Sequence, residues 1–578
     1  MNNEDDFRLR PGKIRSRPNM RTKPFIAQAL AAAERAGGHV SRSGRIMARR
    51  SRFGRGRVAS VRANRLLTSR SRLATVKTRI VRNTGRRATI RAHLNYLRRE
   101  GVTRDGERAR MFGSDTDEAD VKAFTERCED DRHHFRFIVS PEDAAQMSDL
   151  KGFARELMWQ VEKDLGIKLD WVGVDHWNTD NPHVHIILRG RADDGKDLVI
   201  ARDYISNGMR ARAQDLVTQE LGPRSDLDIR RSLESQVEAE RWTRLDRQLV
   251  RDANRQGIID VAPVSGQQPD EYLPQKVGRL RKLESLGLAN QIAPGQWLIV
   301  DEAESTLREL AERGDIIKRM NRALTGRGAD RGASSYVLAG ESLTDPIIGR
   351  LIGRDLDDEL KGTAYAVVDG TDGRTHHVKL PDLDAAGDGP VGSIVELRRF
   401  QDARGRERIA LAVRCDLDLD AQVKASGATW IDRQLVAREP MPLGNGGFGA
   451  EVRAAMESRA EHLIEQGLAR RQGQQVTYTR NLLETLRRKE LDSIGEKLTA
   501  EMGMPFRKSA TGDYVAGLYR QRLMLASGRF AMIDDGLGFQ LVPWSPSLER
   551  NLGKHVSGIA RGDGSVDWNF AVQRGLTR

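Results

Sequence analysis

The chain of 578 residues has only two cysteines, Cys128 and Cys415, and they lie far apart. Two isolated cysteines exclude a disulfide framework and a thiolate zinc finger, so any metal must be bound by histidines and carboxylates. No apolar run approaches the roughly 18 residues of a membrane helix, and MNNEDDFRLRPGK has no apolar stretch typical of a secretory signal. With 31% charged residues, these absences predict a cytoplasmic protein that does not insert into membranes.

Acidic residues are scarce near the N-terminus. Residues 1–100 contain 27 Lys and Arg against five Asp and Glu, an excess of 22, whereas the whole chain carries +14 and the other 478 residues therefore −8. Residues 1–87 are rich in Arg, Gly and Ser and predict a basic arm that is disordered when unbound. The predominance of arginine favours an electrostatic clamp for nucleic acid; a solubility tail is the alternative.

From residue 88 to 225 the composition becomes that of a folded domain. Its helical and alternating apolar patterns predict, in chain order, a helix over 88–101, a strand over 134–140, a helix from 141 to about 165, strands over 170–177 and 183–190, and a helix over 202–221. Turn residues between the last two strands predict an antiparallel pair. The mixture predicts an α+β fold.

The C-terminal part contains an internal repeat, because WTRLDRQLVR (242–251) recurs as TWIDRQLVAR (429–438). Each copy predicts helices and an apolar hairpin in a winged-helix-like order, and then a strand-rich stretch typical of a small β-barrel-like module. Winged helices bind duplex DNA or contact proteins, and such β modules bind nucleic acid or act as spacers, so both alternatives stay open. The predicted boundaries are 226–345 and 426–499 for the helical modules, and 346–425 and 500–578 for the β modules.

The segment HWNTDNPHVH gathers His176, His183 and His185 within ten residues. His183 and His185 are two apart in a strand and project from one face, and the hairpin brings His176 alongside them. Three imidazoles bind a divalent ion and leave positions open for substrate, which is typical of a catalytic metal. Asp175 and Asp180 are near enough to accept the other ring N–H of a ligand. Ordinary half-exposed strand histidines are the alternative.

With a helix bearing Tyr96 ahead of these histidines, the domain resembles the relaxases, conjugative DNA-strand transferases of the His-hydrophobic-His nuclease superfamily, of the mobilisation and T-DNA border-nicking type. The resemblance covers about residues 88–223, including HHFRFIVSPED and PHVHIILRG. The remaining half resembles the uncharacterised C-terminal region of a subgroup with a long basic N-terminal extension. The resemblance implies a five-stranded antiparallel sheet, Tyr96 as the catalytic nucleophile, and His176, His183 and His185 as metal ligands.

The activity that this resemblance implies is strand-specific nicking and rejoining of DNA at a plasmid or mobile-element transfer origin. A 5′-phosphotyrosyl intermediate on single-stranded or locally melted DNA would initiate conjugative transfer. The implied metal is Mg²⁺ or Mn²⁺, although three imidazoles also suit other borderline divalent ions. The implied partners are relaxosome accessory proteins and a type IV secretion coupling protein.

Other residues of the domain leave alternatives open. The domain has no Tyr-Tyr pair, which predicts single-tyrosine chemistry, and Tyr204 is a poor second nucleophile that could stack on DNA or lie in the core. His93, three residues before Tyr96, is either a base or an ordinary surface histidine. The arginines that flank Tyr96 either bind phosphates or form a solvated basic face; they are Arg91, Arg98, Arg99 and Arg104.

Two other functions compete with the relaxase hypothesis. The first is a non-catalytic DNA-binding or replication-accessory protein whose histidines are structural. The second is a metal phosphodiesterase that uses water as the nucleophile and forms no covalent adduct.

Overall fold

A computed structural model describes most of the chain, which forms two compact units, Met1–Ser225 and Asp226–Arg578. The described residues have a mixed α and β fold with twelve α-helices and several antiparallel sheets, which confirms the predicted α+β class at this level. None of these helices is long and apolar enough to cross a membrane. The described residues are 38–40, 46–48, 70–83, 88–99, 102–177, 181–253, 257–262, 272–326, 328–329, 331–338, 346–401, 405, 407–562 and 565–570.

An antiparallel sheet with strand order β3-β4-β6-β5 lies at the centre of the first unit. The described residues supply four strands of this sheet, one fewer than the relaxase resemblance implies. A separate short hairpin is formed by β1 and β2. The strands are β1 (Gly38–Val40), β2 (Ile46–Ala48), β3 (Ala74–Arg82), β4 (His133–Pro141), β5 (Trp171–His176) and β6 (His183–Arg189).

The first strand of this sheet corrects the predicted extent of the basic arm. Residues 74–82 were expected to be disordered within 1–87, yet they pair with β4 along their whole length, from Ala74 opposite Pro141 to Arg82 opposite His133. The alternating β-branched residues of ATVKTRIVR suit an edge strand, since Val76 is buried while its neighbours are exposed. Most of the remaining arm lies outside the described residues, so its disorder stays a prediction.

Helices cover both faces of the sheet. On one face, aromatic and aliphatic side chains of β4 and β6 pack against α3 (Leu150–Leu165) and α4 (Met209–Leu221). On the other face, α1 (Ala88–Leu97) and α2 (Val121–Arg127) pack against Val172 and Val174 of β5. His176 ends β5, and His183 and His185 lie at the start of β6, on the face of the sheet that α1 covers.

The start of α3 differs from the prediction. The strand β4 continues through Pro141, a short 3₁₀ turn follows at Ala144–Gln146, and α3 begins only at Leu150. The carboxylate of Asp149 accepts the main-chain N–H groups of Lys151 and Gly152, both at 2.9 Å, which satisfies donors that a helix start leaves open. The N-cap residue therefore sets the boundary.

The second unit contains two successive arrangements of helices, a small antiparallel sheet, a long helix and a larger sheet. In each larger sheet a twelve-residue strand pairs on one side with the next strand in sequence and on the other side with the strand three places further along. The pairing with the next strand contains a register shift in both sheets. The first arrangement comprises α5 (Asp226–Val237), α6 (Arg244–Asp252), β7 (Ile258–Asp260), α7 (Leu273–Ser285), β8 (Ala289–Ala293), β9 (Gln296–Ile299), α8 (Ala303–Thr325), β10 (Tyr336–Val337), β11 (Ile347–Asp358), β12 (Thr363–Gly370), β13 (Thr375–Leu380), β14 (Ile394–Gln401) and β15 (Glu407–Cys415).

The second arrangement repeats the strand order of the first, because β20-β19-β18-β21-β22 corresponds to β13-β12-β11-β14-β15. Its helical part begins at 419, before the predicted boundary at 426. Its elements are α9 (Leu419–Lys424), α10 (Trp430–Leu435), α11 (Gly447–Glu465), β16 (Ala469–Gln472), β17 (Gln475–Tyr478), α12 (Leu482–Met502), β18 (Tyr514–Leu525), β19 (Gly528–Asp534), β20 (Phe539–Pro543), β21 (His555–Ala560) and β22 (Val566–Asn569).

A buried Arg–Asp pair recurs at the same place in both arrangements. Arg279 on α7 binds both carboxylate oxygens of Asp246, and Arg459 on α11 binds both of Asp432. Each guanidinium also donates to three main-chain carbonyls. These carbonyls lie in the last turn of a preceding helix, α5 or α9, and in the segment that follows it. Each aspartate completes a capping box with a threonine. The internal repeat seen in the sequence is therefore repeated in structure.

Candidate metal and nucleophile site

The three histidines of HWNTDNPHVH meet on one face of the central sheet. His176 on β5 lies directly opposite His183 on β6, and His185 follows two residues later on the same face. The ring centroids lie 5.4 Å apart for His176 and His183, 4.5 Å for His176 and His185, and 4.8 Å for His183 and His185. One ring nitrogen of each histidine lies within 4.8 Å of those of the other two. The predicted convergence is present.

Main-chain carbonyls orient two of the three rings. The Nδ1 of His183 lies 2.9 Å from the carbonyl oxygen of Asn181, and the Nε2 of His176 lies 2.9 Å from that of Leu97. A carbonyl oxygen only accepts, so the facing ring nitrogen carries the proton and the opposite nitrogen presents its lone pair. Thus His183 presents Nε2, which lies 3.1 Å from Nε2 of His185. All three rings are buried, with 7% or less of each residue exposed.

This geometry fits a single divalent ion. Imidazole nitrogens bind zinc-like ions at about 2.1 Å, so two ligands lie about 3.0 Å apart at a right angle and about 3.4 Å apart in a tetrahedron. The 3.1 Å between the Nε2 atoms of His183 and His185 falls in this interval. A divalent ion between these two nitrogens would accept a lone pair from each. The distance and the donor set therefore fit a metal ion.

The two aspartates predicted to support the ligands have different outcomes. Asp175 neighbours His176 in β5 and so points to the opposite face, where its Oδ2 accepts the indole N–H of Trp177 at 2.7 Å. The structure does not bring Asp175 to the imidazoles, and the carbonyls of Leu97 and Asn181 take the role expected of it. Asp180 lies outside the described residues.

Tyr96 lies in the last turn of α1, directly before Leu97. Because Leu97 accepts the hydrogen bond from His176, the main chain at Tyr96 is held to the edge of the histidine cluster. The Tyr96 side chain is half-buried, and the guanidinium of Arg99 lies 4.3 Å from the centre of its ring. Positive charge at this distance favours negative charge on the phenol oxygen.

The other two residues with open roles are both buried. Tyr204 is fully buried and donates to Asp164 at 2.7 Å, and Arg212 also binds this carboxylate. Burial, together with this hydrogen bond, raises the pKa of Tyr204 far above its ordinary value. Tyr204 is thus a core residue, which is one of the two roles that the sequence left open for it. His93 is also buried, so it is not a surface histidine.

The four arginines predicted to bind DNA separate into two groups. Arg99 stacks on Tyr96, and Arg104 lies 4.6 Å from the ring centre of Trp177, the residue that follows His176. Both cations therefore lie at the histidine end of the sheet. Arg91 and Arg98 instead line a groove on another side of α1.

Two features of the site have no signal in the sequence. The carbonyls of Leu97 and Asn181 are main-chain groups that any residue supplies, so only the fold identifies them as partners of the histidines. The groove along α1 also recruits Arg108 and Lys122, which are distant from the histidine motif in sequence.

Comparison with known families gives one match. The model of the family described as "Protein of unknown function (DUF3363)" matches residues 276–407 and 397–577, which together span just over half of the chain. The chain therefore belongs to this family. Both matches fall in the second unit and exclude the histidine cluster. No curated protein and no solved structure matches the chain.

Proposed function

We propose that the protein is a relaxase that nicks and rejoins one DNA strand at the transfer origin of a plasmid or mobile element. The observation that carries the proposal is the convergence of three buried imidazoles beside the helix end that bears a tyrosine. The hydrogen bond from His176 to Leu97 fixes that helix end to the ligand set. One local framework thus holds the proposed metal ligands and the proposed nucleophile.

Tyr96 would be the catalytic nucleophile. A phenol has an ordinary pKa near 10 and must lose its proton to attack. The Tyr96 oxygen would form a bond to phosphorus while the bond from phosphorus to the 3′ oxygen breaks, which leaves a 5′-phosphotyrosine and a 3′-hydroxyl. The phenol gives up one proton and the 3′ oxygen gains one, so the step needs no co-reactant and can run backwards to rejoin the strand.

The other residues would bind and orient the substrate. His176, His183 and His185 would hold a divalent ion, which supplies positive charge for the non-bridging phosphate oxygens. Arg99 would stabilise the ionised phenol, and Arg104 would hold an adjacent phosphate. Single-stranded or locally melted DNA is the substrate proposed, because a phosphodiester inside a duplex is less accessible. Mg²⁺ or Mn²⁺ is the metal proposed.

The remaining parts would serve the same task. The basic arm would grip DNA, and the two repeated arrangements are proposed to be winged-helix-like and small β modules. The exposed face of α11 carries Glu457, Glu461 and Glu465, which favours protein contact over duplex DNA there. Relaxosome accessory proteins and a type IV secretion coupling protein are the partners proposed, in the cytoplasm.

A covalent adduct tests the proposal. The full chain is incubated with Mn²⁺ and labelled single-stranded oligonucleotides. Together these oligonucleotides cover the DNA on both sides of the gene that encodes the protein. We expect a denaturant-stable protein–DNA band whose digestion yields a phosphotyrosyl peptide containing Tyr96. Tyr96→Phe should abolish this band, since the phenol oxygen is the attacking atom.

Tyr204→Phe is the matched control in the same unit. It removes one donor to Asp164, at a cost of about 1 kcal/mol of folding stability, while Arg212 still holds the carboxylate. We expect its adduct yield to equal that of the unmodified chain. An adduct that persists in Tyr96→Phe would refute the tyrosine role, and cleavage without any adduct would favour water as the nucleophile.

A further inference from the structure

A basic groove follows one side of α1. Two adjoining cavities of about 570 and 420 Å³ share Arg98, Glu118 and Ala119 in their linings, so they form one continuous depression. At 3.6 residues per turn, Arg91 and Arg98 project from the opposite flank of the helix to Tyr96. The groove is therefore separate from the surface at the proposed nucleophile.

Positive charge exceeds negative charge in this groove. Glu118 pairs with Arg110 at 3.2 Å, and Asp120, the N-cap of α2, accepts the main-chain N–H groups of Lys122 and Ala123, so both carboxylates have partners. The described residues of the lining include five cations and three carboxylates, which are Arg91, Arg98, Arg108, Arg110 and Lys122, and Glu107, Glu118 and Asp120. Among the described residues no carboxylate pairs with the four cations Arg91, Arg98, Arg108 and Lys122.

Arg98 is the most constrained of these cations. Its Nη2 donates to Oδ1 of Asn95 at 2.7 Å, which fixes the plane of the guanidinium. Its Nε is buried and meets no acceptor within the described part of the chain. Burial, and then the charge of Arg108, lowers the pKa of Arg98 below its ordinary value. An anionic oxygen would supply the missing acceptor and offset the repulsion between the two cations.

The composition of the groove indicates which anion it suits. The described residues of its lining include no aromatic side chain on which a base could stack. Several cations along an open groove match the repeated phosphates of a polyanion better than one small anion. Contacts to phosphates position a strand without distinguishing its bases.

We infer that this groove binds the phosphodiester backbone of single-stranded DNA, with Arg98 and Arg108 as its central contacts. The choice of DNA as the polyanion rests on the proposed function. Strand contacts on both flanks of α1 would hold the helix that bears Tyr96 against the substrate. Asn95 acts as a positioning residue through Arg98.

Salt-dependent binding tests the inference. Anisotropy of two labelled single-stranded oligonucleotides, oligo(dT) and a mixed sequence, is measured over a range of NaCl concentrations with the full chain and Arg98→Gln/Arg108→Gln. Each lost phosphate contact on a single strand lowers the slope of log K against log salt by about 0.7, so we expect a decrease of about 1.4 on both sequences. Thermal unfolding should match that of the unmodified chain.

Arg132→Gln/Lys168→Gln removes the same net charge elsewhere in the first unit, from side chains that are 75% and 81% exposed. We expect this control to leave the slope unchanged. The inference would be overturned if the groove variant and the control had equal slopes, or if the slope decreased on only one of the two sequences. Failure of the unmodified chain to bind either oligonucleotide would also overturn it. An altered slope without any covalent adduct would retain the groove and reject the relaxase.

Discussion

Two kinds of buried polar cluster, one in each unit, are built in different ways. In the second unit, Arg279 and Arg459 each place all three guanidinium nitrogens on acceptors at 2.6 to 3.1 Å. In the first unit, His176, His183 and His185 converge on one another, and main-chain carbonyls hold the outer nitrogens of His176 and His183. One arrangement is complete within the protein, whereas the other consists of ring nitrogens that face one another and could hold a metal ion.

This difference separates a structural cluster from a ligand site. A buried ion pair whose every donor has an acceptor fixes the fold and offers nothing to a ligand. Several imidazole nitrogens that converge can bind one cation together. The hydrogen-bond partners of a buried polar residue therefore indicate a ligand site better than its burial alone.

The largest expected effect is the loss of metal from the convergent cluster. We expect the unmodified chain to retain about one divalent ion per molecule after loading with Mn²⁺ and gel filtration, because three converging ligands hold one ion. His183→Ala should reduce the bound metal, measured by mass spectrometry, to background. It removes a ligand from the centre of the set.

His377→Ala is the control for metal binding. His377 is also a buried strand histidine, but in the second unit, where its ring stacks on Tyr365. Its metal content should equal that of the unmodified chain. If His183→Ala keeps its metal, the histidine cluster is structural and the comparison between the units fails.

A large loss of folding stability is expected when either buried Arg–Asp pair of the second unit is broken. Arg459→Met leaves Asp432 buried without its counter-ion, which typically costs about 3–5 kcal/mol of unfolding free energy. Arg279→Met should cost a similar amount in the first arrangement, and urea unfolding measures both. Asp432→Leu/Arg459→Met should recover part of the loss, because no isolated charge then remains. Values below about 1 kcal/mol would mean that the pair behaves like a surface ion pair.

Acid sensitivity extends the comparison to two buried histidines, His134 and His377, that lie outside the cluster of His176, His183 and His185. Burial, and then the charge of Arg136, lowers the pKa of His134 to about 3, and burial lowers that of His377 to about 4. The folded protein therefore keeps both rings neutral, while the unfolded chain binds protons below about pH 6.5. Each ring should reduce stability by about 1.4 kcal/mol per pH unit as the pH falls from 6.5 towards its folded pKa.

Phenylalanine variants should distinguish these two histidines. His134 bonds Asn83 through Nδ1 and accepts from Arg136 through Nε2, so His134→Phe should cost about 1–3 kcal/mol at pH 7. The ring nitrogens of His377 have no partner among the described residues, so His377→Phe should leave stability unchanged or raise it by about 1 kcal/mol. Thermal unfolding at pH 7 and pH 5 measures both, and equal losses would contradict the distinction.

Local patterns predicted much of the first unit. Alternation placed strands at 134–140 and 183–190, where the structure has His133–Pro141 and His183–Arg189. The same alternation predicted that His183 and His185 share a face. It could not reveal β3, because the arginine-rich composition around 74–82 obscures an edge strand whose stability comes from pairing with β4. The true start of α3 was missed because an apolar pattern marks a helix interior better than its N-cap.

The sequence by itself determined the basic character of the N-terminal region, the repeat in the C-terminal part and the histidine spacing, because composition and short-range periodicity are properties of neighbouring residues. Only the tertiary structure decided that Leu97 and Asn181 orient the rings, that Asp175 does not, and that Arg98 and Arg108 share a groove. These contacts join segments far apart in the chain or depend on main-chain direction. Their energies arise when long-range packing brings the groups together, and local sequence carries no record of that packing.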